Sequence, residues 1–350
     1  MAPAFLVPLA GKVFSFMAIS GKLSGKAALM AEAAAQGISW ASLAASIGRE
    51  VTPLLNGKSD PKIFLHGDDC SPFIQVRMVD DVVYAMGGDD IVYGSHADDI
   101  VFGGEGNDIL GGFLGDDKLY GGIGDDFIHG HEGNDWLYGG VGNDFIDGGI
   151  GKDVIRGEDG IDFMRGQEGN DILIGGNGDD YIWGGDGNDK LYGGAMRNGE
   201  TEGNDELYGG AGDDIIWGHE GNDELYGQEG NDRLDGGKGD DILYGGEGDD
   251  VLLGGRGNDQ IFGGEGADTF LLTHGPGHDQ IMDFTLGEDL IEVGSRFYME
   301  EQVLGSGVST NIRHWHRGDL MATVQGLGVN ELESHVQRGE WEWQRTEALI

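Results

Sequence analysis

One pattern recurs every nine residues through the middle of this chain. "GGDGNDKLYGG" at 184–194 follows "GGNGDDYIWGG" at 175–185, and "GGEGDDVLLGG" returns at 245–255. With the phase set by "GGEGNDILG" at 103–111, the sequence steps from Ala85 to Leu271 in about twenty units, interrupted once by "AMRNGET" at 195–201. Disorder scatters its glycines and loses its aliphatic residues, whereas here 38% of residues are hydrophobic and the glycines hold phase. The period identifies a stack of small units, each too short to bury a core alone.

The sixth position is Asp in every unit: Asp90, Asp99, Asp108, Asp117, Asp126, Asp135, Asp144, Asp153, Asp162, Asp171, Asp180, Asp189, Asp205, Asp214, Asp223, Asp232, Asp241, Asp250, Asp259 and Asp268. The eighth is always apolar, from Val92 and Val101 to Ile261 and Phe270. Residues two apart in an extended segment lean to one side. Glycine supplies positive φ before each strand, and Asn or Asp at the fifth position tolerates left-handed backbone. Each unit is therefore expected to be a tight turn followed by a strand of three or four residues. Two units complete a coil, which gives two parallel sheets with the aliphatic residues inside.

Such a core is thin, and ordering so many glycines costs much entropy. Stacking also sets the Asp of one unit about one strand spacing of 4.8 Å from the Asp two units later, as for Asp108 and Asp126, where bare carboxylates repel. A hard dication reverses that sign. Carboxylates with turn carbonyls form an all-oxygen shell, which suits calcium better than magnesium with its strict octahedron. The formal net charge of -43, from 64 acidic and 21 basic residues, points the same way and excludes nucleic acid as a partner. The single cysteine, Cys70, leaves no intramolecular disulfide to stabilise the chain.

The unit GGxGxDxUx, with U aliphatic, resembles the calcium-binding nonapeptide of the RTX (repeats-in-toxin) family. The resemblance implies a mainly β protein, a right-handed parallel β-roll or β-solenoid that binds multiple Ca2+ ions through the Asp positions above. It also implies export: RTX proteins leave bacteria by type I secretion through an uncleaved C-terminal signal, and "EALI" at 347–350 resembles the acidic-then-apolar ends of secreted family members. The expected location is extracellular or at the cell surface, with calcium scarcity inside keeping the chain unfolded until export. The pattern is weaker in "GSHADDIVF" at 94–102, in "GEDGIDFMR" at 157–165 with Ile161 at the fifth position, and in "GGIGKDVIR" at 148–156 with Lys152 there.

Three regions follow. Residues 1–75 are alanine-rich at the start, as in "KAALMAEAAAQGISWASLAASIGREV", and predict amphipathic helices that cap the roll, bind a partner or touch a membrane surface. Residues 76–282 form the roll, with looser units keeping Asp81 and Asp279. Residues 283–350 resemble the strand-rich cap of secreted RTX proteases and carry the export signal. On one sheet Ile91, Ile109, Phe127, Phe145, Phe163 and Tyr181 align at the seventh position, a ladder that packs across strands and, being a large apolar stripe, is expected to be covered either by the N-terminal helices or by another molecule: a protein or glycan partner or a second copy. Trp136, Trp183 and Trp217 offer rings for sugar stacking or plain packing.

Catalysis is not expected. Only some 80 residues precede the repeats, too few for the catalytic domain of an RTX enzyme, and no two-histidine zinc helix or nucleophile elbow appears. "HWH" at 314–316 and "RGD" at 317–319 fit surface strand and hairpin turn. The reading is a secreted calcium-binding structural or interaction protein, with a membrane-active effector and a carbohydrate-acting protein as alternatives. Receptor, ligand and oligomeric state are not specified by the sequence.

Overall fold

The computed structural model describes residues 63–64, 73–75, 82–194, 203–273, 276–294, 297–304, 307–314 and 320–338. The N-terminal helices, Cys70, Asp81, the insertion at 195–201, the "RGD" tripeptide and the terminal "EALI" lie outside the described residues. The chain divides into two compact units, one up to Ile182 and one from Trp183 onward. That division falls within the repeats.

In the first unit consecutive strands alternate between two parallel sheets. Val82–Gly87, Ile100–Glu105, Lys118–Ile123, Trp136–Val141, Val154–Asp159 and Ile172–Asn177 build one; Ile91–Tyr93, Ile109–Leu114, Phe127–Glu132, Phe145–Ile150 and Phe163–Glu168 build the other. The register advances two repeats per step, with Ile100 opposite Lys118 and Lys118 opposite Trp136. Two repeats therefore make one coil of a parallel β-solenoid. Ile63–Phe64 and Phe73–Gln75 each add a short strand at the start.

The second unit follows the same rule, with Glu206–Ala211, Glu224–Glu229, Ile242–Glu247 and Gln260–Glu265 in one sheet and Ile215–Glu220, Arg233–Lys238 and Val251–Arg256 in the other. Lys190 pairs with Ile215, so the insertion is absorbed without loss of register. Stacking runs past residue 282: Leu290–Val293 pairs with Thr269–Leu272, and Val336–Arg338 closes that sheet. The other sheet ends in an antiparallel meander of Phe297–Leu304, Gly307–His314 and Leu320–Gln325, joined through Asp279–Ile281. One short helix, Val329–Leu332, is present among the described residues, its start held by the Glu331 carboxylate accepting the Gly328 N–H at 2.8 Å.

Most strands are six residues long, not three or four, because they run through the glycine pair of the next repeat, as in "KLYGGI" at Lys118–Ile123. Burial along that strand alternates, and the inward Leu119 is fully buried. The eighth-position residues, from Val92 to Phe270, are the core of each coil. Glycine is required where coils approach closely. Gly106 has φ 126°, and a Cβ there would run into the Gly88 carbonyl of the coil below.

The seventh-position ladder is covered: Ile109, Phe127, Phe145 and Phe163 are 5%, 1%, 3% and 4% exposed, with Ile91 and Tyr181 half-buried at its ends. Phe127 stacks on Phe145 at 4.8 Å, Phe163 on Tyr181 at 4.6 Å, and the Arg165 guanidinium lies over the Phe145 ring. These contacts close the ring faces to an outside partner.

Leu137 makes the core argument testable. It is fully buried, and close-packed interiors collapse only partially around a truncated side chain. Leu137→Ala is expected to cost about 2–5 kcal/mol in denaturant unfolding at fixed calcium. Lys118→Ala, at an exposed seventh position, is expected to change stability by less than about 0.5 kcal/mol.

Candidate metal centre

Every sixth-position Asp of the twenty repeats is 0–2% exposed. Burying that many carboxylates demands partners. Half of the demand is met within the fold. The Asp126 Oδ1 accepts the N–H of Asp108 at 2.7 Å, the Asp144 Oδ1 that of Asp126 at 2.8 Å, and the Asp162 Oδ1 that of Asp144 at 2.8 Å. The opposite edge repeats this from Asp99 to Asp117, Asp135 and Asp153. In the second unit Asp214 accepts from Asp189, and Asp223, Asp232, Asp241, Asp250, Asp259 and Asp268 each accept from the Asp two repeats earlier.

The other oxygen is left over. Oδ2 of Asp108, Asp117, Asp126, Asp135, Asp144, Asp153 and Asp162 is buried and accepts no hydrogen bond, and the same holds for Asp214, Asp232, Asp241, Asp250 and Asp268. Asp90, at the start of its column, has both oxygens so placed. In Asp108, Asp117, Asp126, Asp135, Asp144, Asp153 and Asp162 the orphaned oxygen faces the first glycine of its own repeat and the carbonyl of the first glycine two repeats on. At Gly112 a Cβ would meet the Asp117 Oδ2 and lie 2.9 Å from the Gly130 oxygen. At Gly112 the lack of a side chain keeps this small oxygen-lined space open.

The fifth position runs a second ladder of opposite polarity. Asn107 Oδ1 accepts the N–H of Asp125, Asp125 Oδ1 that of Asn143, and Asn143 Oδ1 that of Ile161 at 2.9 Å. On the other edge Asn134 Oδ1 accepts from Lys152 at 3.0 Å. Ile161 and Lys152 thus keep the donor role and lack only the acceptor.

Charge is disfavoured in these columns. Burial raises Asp117, with the Asp99 N–H opposing and the Asp135 and Asp99 carboxylates adding, to about 8. Burial likewise raises Asp126 and Asp153 to about 8, Asp108 to about 7 and Asp135 to about 6. In the second unit it raises Asp214, Asp241 and Asp250 to about 8 and Asp232 and Asp268 to about 6. Hard, anionic and carbonyl oxygens around a glycine-cleared space fit a dication of calcium type. The residues that would hold it are the sixth-position Asp and the first-position glycine carbonyls; the ion would supply the positive charge that lets these carboxylates ionise while buried.

Two further residues, beyond the twenty sixth-position Asp, belong to the columns. Asp279 is 7% exposed and couples to Asp259, burial first and the neighbouring carboxylate second holding its pKa well above the usual range. Asp289 is 4% exposed and its Oδ1 accepts the Asp268 N–H at 3.0 Å. Its signal was the Asp-x-Ile spacing of "DLI", without glycines in front. Asp283 caps the Gly263 and Gly264 N–H groups instead.

The direction of these shifts fixes a pH dependence. A carboxyl whose folded pKa is raised binds its proton more tightly folded than unfolded, so its stabilisation is complete below about pH 4 and is lost as pH rises through the folded values. In chelator the melting temperature is expected to fall steadily from pH 4 to pH 8.5, followed by circular dichroism. A melting temperature independent of pH in chelator would contradict the column electrostatics.

The RTX calcium-binding nonapeptide repeat family matches residues 79–195 and 201–270, over half of the chain. Comparison with curated proteins finds no match. Among solved structures, the AlgE6R3 subunit of the Azotobacter vinelandii mannuronan C5-epimerase is 23% identical, with a TM-score of 0.26 over 45% of this chain and 90% of that one. A hyperactive, Ca2+-dependent, β-helical antifreeze protein from an Antarctic bacterium is 21% identical, with a TM-score of 0.38 over 63% and 80%. The extracellular lipase LipA from Serratia marcescens is 15% identical, with a TM-score of 0.23 over 73% and 44%. The orphaned aspartate columns and the repeat match agree, and the chain belongs to the RTX calcium-binding nonapeptide repeat family.

Proposed function

We propose that this protein is a secreted calcium-binding β-roll that folds when it meets extracellular Ca2+ and then serves as a structural or interaction protein at the cell surface or in the matrix. The observation that carries this reading is the row of buried Asp Oδ2 atoms without a hydrogen-bond donor. A fold that buries carboxylates without partners is incomplete by itself. Calcium binding supplies the missing charge, so affinity for the ion becomes folding free energy. The multiple ions, the type I export route and the extracellular location belong to the same proposal, and it assigns the chain no catalytic step. Among the described residues no helix is long and apolar enough to cross a membrane.

Sugar stacking on the tryptophans has less support. Trp183 stacks on Tyr208 at 5.5 Å and Trp217 on Tyr192 at 4.6 Å, both nearly parallel, and Lys118 lies over Trp136. Tyr208, Tyr226, Tyr244 and Phe262 continue the stack at 4.6 to 4.9 Å. Rings in such a ladder present edges outward, and a sugar needs a face.

Calcium titration of the chelated protein, followed by far-UV circular dichroism, tests the proposal. A cooperative gain of β signal is expected at about 0.1–1 mM calcium, the range of extracellular modules, with no response to magnesium. Full β structure in chelator at pH 8, unchanged by calcium, would refute it.

A further inference from the structure

Two aspartates in the columns differ from all those just described. Asp99 is 1% exposed, yet its Oδ2 is not orphaned: it accepts the backbone N–H of Ser95, four residues earlier, at 2.7 Å. Asp289 repeats the arrangement. Its Oδ2 accepts the N–H of Thr285, again four residues earlier, at 2.6 Å, while its Oδ1 takes the Asp268 N–H. Short N–H to carboxylate bonds of this kind are charge-assisted and strong. The oxygen that elsewhere calls for a cation is here neutralised by a peptide dipole.

The backbone explains why. The residue four before the Asp is the second of its repeat. In the first unit Met86, Gly104, Phe113, Gly122 and His131 all adopt positive φ there, between 79° and 119°. Ser95 does not, and neither does Thr285. The φ of the second residue is set by the orientation of the peptide plane between positions one and two. In the regular repeats that plane turns the first glycine's carbonyl into the oxygen-lined space, as at Gly130 beside Asp117. Where φ is not positive, as at Ser95 and Thr285, the N–H of the second residue faces the Asp of its own repeat; the Gly112 carbonyl still lies beside Asp99, but the carboxylate oxygen there already has its donor. Ser95 holds its turn further by accepting the Ala97 N–H on its hydroxyl at 3.2 Å. The sequence cause is visible in "GSHADD", where Ser95 and Ala97 replace two of the glycines. Thr285 is β-branched and avoids positive φ for the same steric reason.

We propose that Asp99 and Asp289 bind no calcium, and that the Ser95 and Thr285 N–H groups act as built-in stops that close an aspartate column without metal. Asp99 stops its column near the start of the first unit and Asp289 near the end of the second. Neither turn needs an ion once its coil has folded, so Asp99 and Asp289 have a donor for Oδ2 with or without calcium. The proposal rests on the calcium reading of the remaining columns and narrows the sixth-position Asp residues that act as ligands.

Counting bound calcium on the full-length chain, by equilibrium dialysis and native mass spectrometry at saturating calcium, tests it. Asp117→Asn, in the same column one coil on, is expected to lower the ion count. Asp99→Asn is expected to leave the count at the wild-type value and to lower the melting temperature in chelator. The double variant Ser95→Gly with Ala97→Gly restores a regular glycine turn and is expected to bind one more ion than the wild type. That gain decides the matter even if Asp99→Asn fails to fold. Loss of an ion in Asp99→Asn, or an unchanged count in the glycine double variant, would overturn the stops while leaving the calcium reading intact. A wild type that binds no calcium would remove the calcium reading itself.

Discussion

The second oxygen of each buried aspartate governs this structure. One oxygen is spent on the coil below, where it accepts a peptide N–H at 2.7 to 3.0 Å, and that bond fixes the side chain so that the other oxygen cannot turn to water. Both roles are dictated by stacking. Because the bond donor is the N–H of the previous Asp in the column, the position of every carboxylate depends on the coil next to it. Folding is therefore cooperative along the axis, as nearest-neighbour coupling requires, and so is the need for charge compensation.

Against this, the hydrophobic core is slender. Each repeat contributes one fully buried aliphatic side chain, such as Ile128, Leu137 or Ile146. Full burial of one such side chain is worth about 1.5–3 kcal/mol, whereas ordering the nine residues of a repeat costs about 1 kcal/mol or more per residue in backbone entropy alone. Backbone ladders and aromatic stacks such as Tyr84, Phe102, Tyr120 and Tyr138, at 4.7 to 4.8 Å, add to the aliphatic core. They do nothing for the carboxylates. A protein of this design is stable only where something satisfies its aspartates.

What was legible in the sequence follows from what repeats. Asp and the aliphatic residue are two apart in every unit, so their shared inward direction could be read from Asp108 and Leu110 without coordinates. Two repeats per coil followed from the same geometry. Strand length did not, because glycine has low strand propensity and nothing local says that Gly121 and Gly122 extend the strand from Lys118. The fifth-position residues looked like φ-tolerant turn formers, but the structure uses Asn107 and Asp125 as acceptors. Burial of Phe127 and Phe145 was hidden because exposure of an outward side chain depends on what lies over the sheet. Asp289 has no glycines before it to mark its repeat, and the Ser95 N–H on Asp99 leaves no mark in the sequence beyond the loss of two glycines.

That bond changes how the repeat motif should be read. The aspartate is constant across the twenty repeats, so it carries no information about which turns take an ion. The glycines vary. The first glycine clears the space beside the Asp; where the second residue has positive φ the Asp Oδ2 is left without a donor, and where it does not, at Ser95 and Thr285, the same oxygen meets an N–H. The Gln167 and His131 repeats show that the second residue need not be glycine, since both hold φ near 80° with Asp135 and Asp171 buried behind them. The strain of a non-glycine residue there, about 1–3 kcal/mol, is borne because the coils above and below fix the backbone. On the proposed calcium reading, backbone conformation at the second position, more than the count of acidic residues, would set which turns take an ion.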